Sequence, residues 1–190
     1  MVWVVFNTLI AFALMEMNVF QALEKVLGLY ANIAIAWIMA VVADLVVNKP
    51  LGLSPKGIEF KRAHLYDVNP VGVGAMALAS MLSITAHLGV FGPLAQAFSA
   101  VVAMVVAFVS APALAWATPG RYYLARPATG TNAVQRCVIC EREYEGPDMA
   151  HCPAYQGAIC SLCCTLDARC GDLCKPHARL SHQWSGALRA

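Results

Sequence analysis

All eight cysteines of this chain lie between Cys137 and Cys174, and their spacing is that of metal ligands. Cys137-Val-Ile-Cys140 and Cys160-Ser-Leu-Cys163 are two CxxC units. Two residues between thiolates allow a tight turn that aims both sulfurs at one point, so the two units form a zinc-ribbon-like set. Cys152, Cys164, Cys170 and Cys174 remain, with His151 and His177 beside them. At four ligands per ion, the eight thiolates suffice for two zinc ions. Cys137, Cys140, Cys160 and Cys163 are expected at the first. Cys152, Cys170 and Cys174 supply most of the second, completed by Cys164, His151 or His177. The adjacency of Cys163 and Cys164 leaves that sorting open. Both ions are expected to be structural, because thiolates that fill the shell leave no place for water. A catalytic zinc needs an open position and a base; Glu141, Glu143 and Glu145 are at hand, but the ligand type argues against it. A segment this short buries little core of its own. Zinc supplies what is missing, at about 10–16 kcal/mol per structural site. A disulfide cluster is the alternative in an oxidising compartment.

The elements that carry this segment are apolar. Of 190 residues, 59% are hydrophobic and 13% charged, against about 25% charged in soluble domains. A net charge of +2 is too small to imply nucleic acid and no basic stripe is visible, so no nucleic-acid partner is expected. The composition predicts an all-α membrane protein, since unpaired backbone is intolerable in hydrocarbon. Four spans are expected, over about 1–15, 27–47, 71–91 and 94–117, forming a transmembrane block over 1–117. The first is short of the roughly 20 residues a bilayer needs. Met1 opens into an apolar run with no basic lead-in, which argues against a secretory signal and reads as a piece of something longer. The connection Asn48–Asn69 carries Lys49, Lys56, Lys61 and Arg62, and Arg121 and Arg126 follow the last span, whereas Glu16–Val26 holds only Lys25. Lys and Arg favour the cytoplasmic side, which places both basic segments, and the cysteines after them, in the reducing cytoplasm.

Small residues recur every four positions at Ala95, Ser99, Ala103, Ala107, Ala111 and Ala115, and again at Ala75, Ala79 and Ser83. Such stripes predict close helix packing. Pro112 should kink the fourth span, and Gly92-Pro93 should close a tight hairpin between the last two. Asp44 is expected near the inner interface, meeting water, Lys49 or a loop cation. His87 is expected at the outer interface. Asn7, Thr8, Asn32 and Thr85 are expected to bond between helices. Residues 118–136 read as a juxtamembrane linker whose Arg121, Tyr122, Tyr123 and Arg126 suit the headgroup layer. Residues 137–177 form the cysteine-rich segment and 178–190 a polar tail. No catalytic motif is found anywhere in the chain.

Two stretches carry a resemblance. Ala36-Trp-Ile-Met-Ala-Val-Val-Ala-Asp44-Leu-Val-Val-Asn-Lys49 is followed, after a basic connection, by His64-Leu-Tyr-Asp-Val-Asn69-Pro-Val-Gly-Val-Gly74-Ala. This resembles the last third of nucleobase–cation symporters (purine–cytosine permease-like proteins), with Asp44 at that family's aspartate and Leu45 in place of its aromatic. The resemblance covers about residues 1–126 and implies spans nine to twelve of a twelve-span fold. The appended cysteines look like those of bacterial membrane sensors, in which a permease-like module precedes a histidine kinase. That resemblance implies a multi-pass protein of the bacterial inner membrane. Its implied partners are the lipid bilayer, upstream permease-like helices and a downstream kinase domain in a two-component system. It implies a sensory input module with a zinc-stabilised cytoplasmic connector; the alternative is the end of a symporter with a regulatory cysteine tail. No phospho-accepting His motif or ATP-binding glycine box stands in this sequence, so no catalytic residue is carried over.

Overall fold

A computed structural model describes residues 2–16, 19–126, 133–167 and 169–189. Its membrane part begins with α1 (Val2–Glu16) and α2 (Val19–Ala43), the latter continuing through a single π-helical turn, Asp44–Asn48. α3 (Pro70–His87), the short α4 (Pro93–Ala97) and α5 (Ser99–Ala117) follow. Among the described residues three stretches are long and apolar enough to cross a membrane: Ala22–Asn48, Pro70–His87 and Ser99–Ala117. The chain is thus built as a multi-pass membrane protein. The expected first span is an apolar helix of 15 residues. At 1.5 Å per residue it reaches about 22 Å, short of a hydrocarbon core of about 30 Å.

Helix bounds differ from the expected spans for local reasons. α2 starts at Val19 rather than near 27 because Gln21, Glu24 and Lys25 are helix formers even though they are poor membrane residues. α3 starts where Asn69 accepts a hydrogen bond from the Val71 amide (3.0 Å) and Pro70 takes the first position. It ends at His87, and the turn to α4 passes through Gly89 and Gly92, both at positive φ. Phe98 leaves helical geometry, so the expected span 94–117 is divided into α4 and α5.

α2, α3 and α5 pack as a triangle whose seam is made of small residues. Ala36, Ala79, Ala103 and Ala107 form one buried layer, and Ala40, Ala43, Ala75 and Ala111 the next. Ser99, Ala103, Ala107, Ala111 and Ala115 are all buried on α5, as the four-residue stripe predicts, while Ala95 is half-buried. Contact between backbones stabilises such a seam, since a lipid tail is as apolar as the side chain it would replace. Large apolar side chains point outward, among them Phe20, Trp37, Met81, Val105 and Trp116, and α1 buries none of its residues.

The polar residues in the helices separate into two kinds. Asn32 bonds across to Ser99 (3.4 Å) as expected, while also donating to the Gly28 carbonyl. Thr8 and Thr85 instead bond back to carbonyls of their own helices, at Val4 and at Met81 and Leu82. This is the ordinary way a hydroxyl is satisfied without a partner helix.

The connection 48–69 and the segment after α5 are clasped together. Leu65 and Leu124 form a bridge, and the Ala125 amide donates to the His64 carbonyl (2.8 Å). Both lie at the same end of the helices, so both lie on one side of any membrane the helices cross. The cysteine-rich part then builds two small antiparallel hairpins. β1 (Gln135–Arg136) pairs with β2 (Glu143–Tyr144), and β3 (Met149–Cys152) with β4 (Gly157–Cys160). α6 (Ser161–Leu166) follows β4 directly, and α7 (Leu180–Ala187) closes the chain.

The end of the cysteine-rich segment and the start of the expected polar tail fold back onto the connection. Lys175, 1% exposed, reaches Asp67 (2.7 Å) and the Leu65 carbonyl (3.1 Å). Arg62 donates to both oxygens of Asp172 (3.2 and 2.7 Å), and the Leu180 amide donates to Asp67 (2.9 Å). Although burial alone would raise Asp67, Lys175, the Leu180 amide and Arg62 hold it below the usual carboxylate range. A carboxyl depressed in the fold stabilises above its unfolded value and stops doing so as pH falls through its folded one. This clasp is therefore complete at neutral pH, begins to weaken as pH falls past the ordinary aspartate value of about 4, and opens only below that, as pH passes through the depressed folded value. Breaking a buried pair by removing one member leaves the other charge uncompensated, at about 3–5 kcal/mol. Lys175→Met is expected to undock the tail, read as faster hydrogen exchange at the Leu180 and Asp67 amides. Unchanged protection would show that the pair does not hold the clasp.

Candidate metal centre

The four sulfurs of Cys137, Cys140, Cys160 and Cys163 all lie within 4.8 Å of one another. Cys140 and Cys160 stand 3.9 Å apart, sulfur to sulfur. A tetrahedral zinc ion with Zn–S bonds of about 2.3 Å requires sulfur–sulfur edges of about 3.8 Å. The cysteines are free thiols, far from the bonding distance of a disulfide. The first CxxC unit thus joins the second, as their matching turns predict.

Local structure places each ligand. Cys137 directly follows β1, and its unit is a tight turn in which the Glu141 amide returns to the Cys137 carbonyl (2.9 Å) with Glu141 at positive φ. The turn leans on the second hairpin, where the Val138 amide donates to the Ala158 carbonyl (3.0 Å). Gly157 is required there: a Cβ would stand 2.6 Å from the Val138 side chain. Cys160 ends β4 and caps α6, its sulfur accepting from the Cys163 amide (3.4 Å). The hairpins bring the two units together; the turn and the cap orient the sulfurs.

Charge distribution fits a cation. Burial opposes ionisation of Cys137, but amides of Cys140, Cys160 and Ile139 directed at its sulfur bring it down to about 6. Amide donation at Arg142, followed by the Tyr144 hydroxyl, lowers Cys140 as well. Burial, and then the neighbouring thiols, push Cys163 up to about 12. Four thiols this close cannot all ionise against one another, and a divalent cation at their centre removes the conflict. Tyr144, whose hydroxyl stands 3.7 Å from the Cys140 sulfur, is a partner the spacing gave no sign of. The Cys140 thiolate holds the Tyr144 phenol up to about 12.

The other thiols share one core with Cys137 and Cys160. Cys152, Cys164 and Cys170 are buried, with Cys174 packed beside them, and Ala63 from the connection completes that core. Burial first, and then Cys174, Cys170 and Cys152, raise the Cys164 thiol, against which the Ala63 amide donates. Among the described residues these four do not close into a cluster as tight as the first.

The two candidate histidines are not brought to either set. Strand alternation turns Cys152 inward and His151 outward into solvent. His177 is exposed, with Nε2 3.1 Å from the Ala125 carbonyl and its ring edge-on to Tyr66. Asp44 is also placed differently from its expected role. It accepts from the Tyr123 hydroxyl (2.8 Å) and the Asn48 amide (3.1 Å), whereas Lys49 donates to the Pro55 and Gly57 carbonyls. Burial and then Asp44 raise Tyr123 above the ordinary phenol range.

Comparison with protein-family models, curated proteins and solved structures gives no significant match. The chemistry of this centre therefore rests on its own geometry: four sulfurs within 4.8 Å of one another, a set that could hold one metal ion.

Proposed function

We propose that the chain is a membrane-embedded input module in which zinc stiffens a connector and passes a change in the helices to an effector. The observation that supports it is the clasp between the connection 48–69 and the cysteine-rich segment. Arg62 holds Asp172, Lys175 holds Asp67, and Ala63 sits in the cysteine core. Movement of α2 against α3 shifts their connection, and the connection carries the metal-held segment with it. In this reading the first ion sits on Cys137, Cys140, Cys160 and Cys163. A second sits on Cys152, Cys164, Cys170 and Cys174, which share one core.

The reading places the clasped side in the cytoplasm of a bacterial inner membrane, as the end of a permease-like fold that signals to a histidine kinase. Four Lys/Arg in 48–69 support that orientation. A cysteine introduced at Lys56 should resist an impermeant thiol reagent in intact cells, and one at Glu24 should react. The reverse labelling would put the thiolates in an oxidising compartment and remove the basis for zinc. Function is tested in the whole gene product by measuring phosphotransfer and net solute uptake together. Phosphotransfer altered by Arg62→Ala, without net flux, supports the input module. Net uptake that is indifferent to Arg62→Ala makes the chain part of a transporter instead.

A further inference from the structure

A cavity of about 670 Å³ opens where α2, α3, the connection and the segment after α5 meet. Its volume falls in the range of small-molecule sites, about 300–1,000 Å³. Most of its wall is apolar, from Trp37, Val41, Leu45, Ile58, Val73 and Met76. Three charged side chains also face it: Asp44, Lys49 and Glu59. Two of these are committed. Lys49 donates to two backbone carbonyls, and Glu59 receives Lys61 and His64. Among the described residues Asp44 accepts only from the neutral hydroxyl of Tyr123 and the side-chain amide of Asn48, both on Oδ1. Among the described residues no Lys, Arg or His forms an ion pair with it.

We infer that this cavity binds an amphipathic amine, its apolar body against Trp37 and Met76 and its ammonium on Asp44 Oδ2. A carboxylate at the wall of an apolar cavity is stabilised most by a cation that brings its own hydrogen-bond donors. The π turn beginning at Asp44 is a second indication. Such turns depart from regular helix and recur at functional sites, and this one brings Asn48 and Asp44 together under Tyr123. The ammonium belongs to a free amine or to the headgroup of an aminophospholipid whose chains lie along the exposed apolar wall. Glu59 and Leu65 belong to the clasped connection, so an occupant touches the same element that holds the cysteine-rich segment. The site does not depend on the sensory reading.

The test uses the full chain in phosphatidylcholine nanodiscs, with empty nanodiscs correcting for partition into lipid. Binding of 2-(1-naphthyl)ethylamine is measured calorimetrically beside its alcohol and carboxylate counterparts. Saturable binding of the amine is expected, with the alcohol and the carboxylate weaker by about tenfold or more. Asp44→Asn should bring the amine down to the level of the alcohol. Gly72 lines the cavity, and a Cβ built on it meets nothing within 4 Å. The first carbon of a Gly72→Phe side chain is therefore accommodated, and its ring, at the cavity wall, should abolish saturable binding, which keeps the test decisive if Asp44→Asn fails to fold. Equal binding of the three probes, or amine binding unchanged in Gly72→Phe, overturns the inference. Repeating the titration with phosphatidylethanolamine in the nanodiscs separates the two sources. Competition assigns the lipid ammonium, and undiminished binding assigns a free amine.

Discussion

Protein purified under reducing conditions should carry two zinc ions per chain, and Cys137→Ser should lose one of them together with the fold of residues 133–167. The expected effect is large because Cys137 serves three roles. It is wholly buried, it accepts the Cys160 amide, and it is one of four sulfurs at tetrahedral spacing. Structural zinc contributes about 10–16 kcal/mol, more than the few kcal/mol that so small a core supplies. Chelation should therefore remove the near-ultraviolet signal of the segment and leave the helical far-ultraviolet signal, which the bilayer maintains. Cys164→Ser should remove the second ion and spare the first. Neither His151 nor His177 stands ready to replace that sulfur, one facing solvent and the other engaged with Ala125. The measurement belongs on the whole chain, because Ala63 is part of the cysteine core. Elemental analysis near one ion, unaltered in Cys164→Ser, would confine the metal to the four-sulfur cluster. Metal content near zero with an intact fold would falsify the metal reading altogether.

What could be read from the sequence is what local spacing determines. A CxxC turn and a four-residue stripe of small side chains are encoded within a few positions, and both recur in the structure as the joined thiols and the buried alanine seam. Hydropathy located the apolar runs but not the helix ends, since Glu24 and Lys25 are unfavourable in lipid and favourable in a helix. The break at Phe98 and the π turn at Asp44 were not legible, because neither Gly nor Pro stands at either position. Long-range partners were the least accessible. Lys175 reads as a cation at the end of the cysteine-rich segment until Asp67, 108 residues away, is found against it. Tyr123 reads as a headgroup anchor until Asp44 is found under its hydroxyl. The histidines mislead for the same reason. Closeness in sequence to cysteines says nothing of which face of β3, or which side of the clasp, a ring will take.

Ala107→Phe should disrupt the three-helix seam, whereas Val105→Phe should be tolerated. Ala107 has no exposure and lies in one layer with Ala36, Ala79 and Ala103, whereas Val105 is 51% exposed on the other face of α5. A ring at 107 must push α5 away from α2 and α3. The layer below, Ala40, Ala43, Ala75 and Ala111, then loses its close contacts as well. Overpacking a tight core costs about 1–3 kcal/mol and at times more. Here the cost is not confined to one layer, because the seam is stabilised by backbone approach over its length. At 105 the ring enters lipid, where phenylalanine is as comfortable as valine. The same displacement would reach the connection 48–69, which joins α2 to α3, and through it the clasp at Asp67 and Lys175. The two variants are compared in detergent by thermal midpoint and by the fraction that elutes as a single species. A lowered midpoint for Ala107→Phe, with Val105→Phe like the parent, supports the seam. Equal midpoints for the two would mean that the alanine stripe carries no packing energy and that something other than this seam keeps α5 in place.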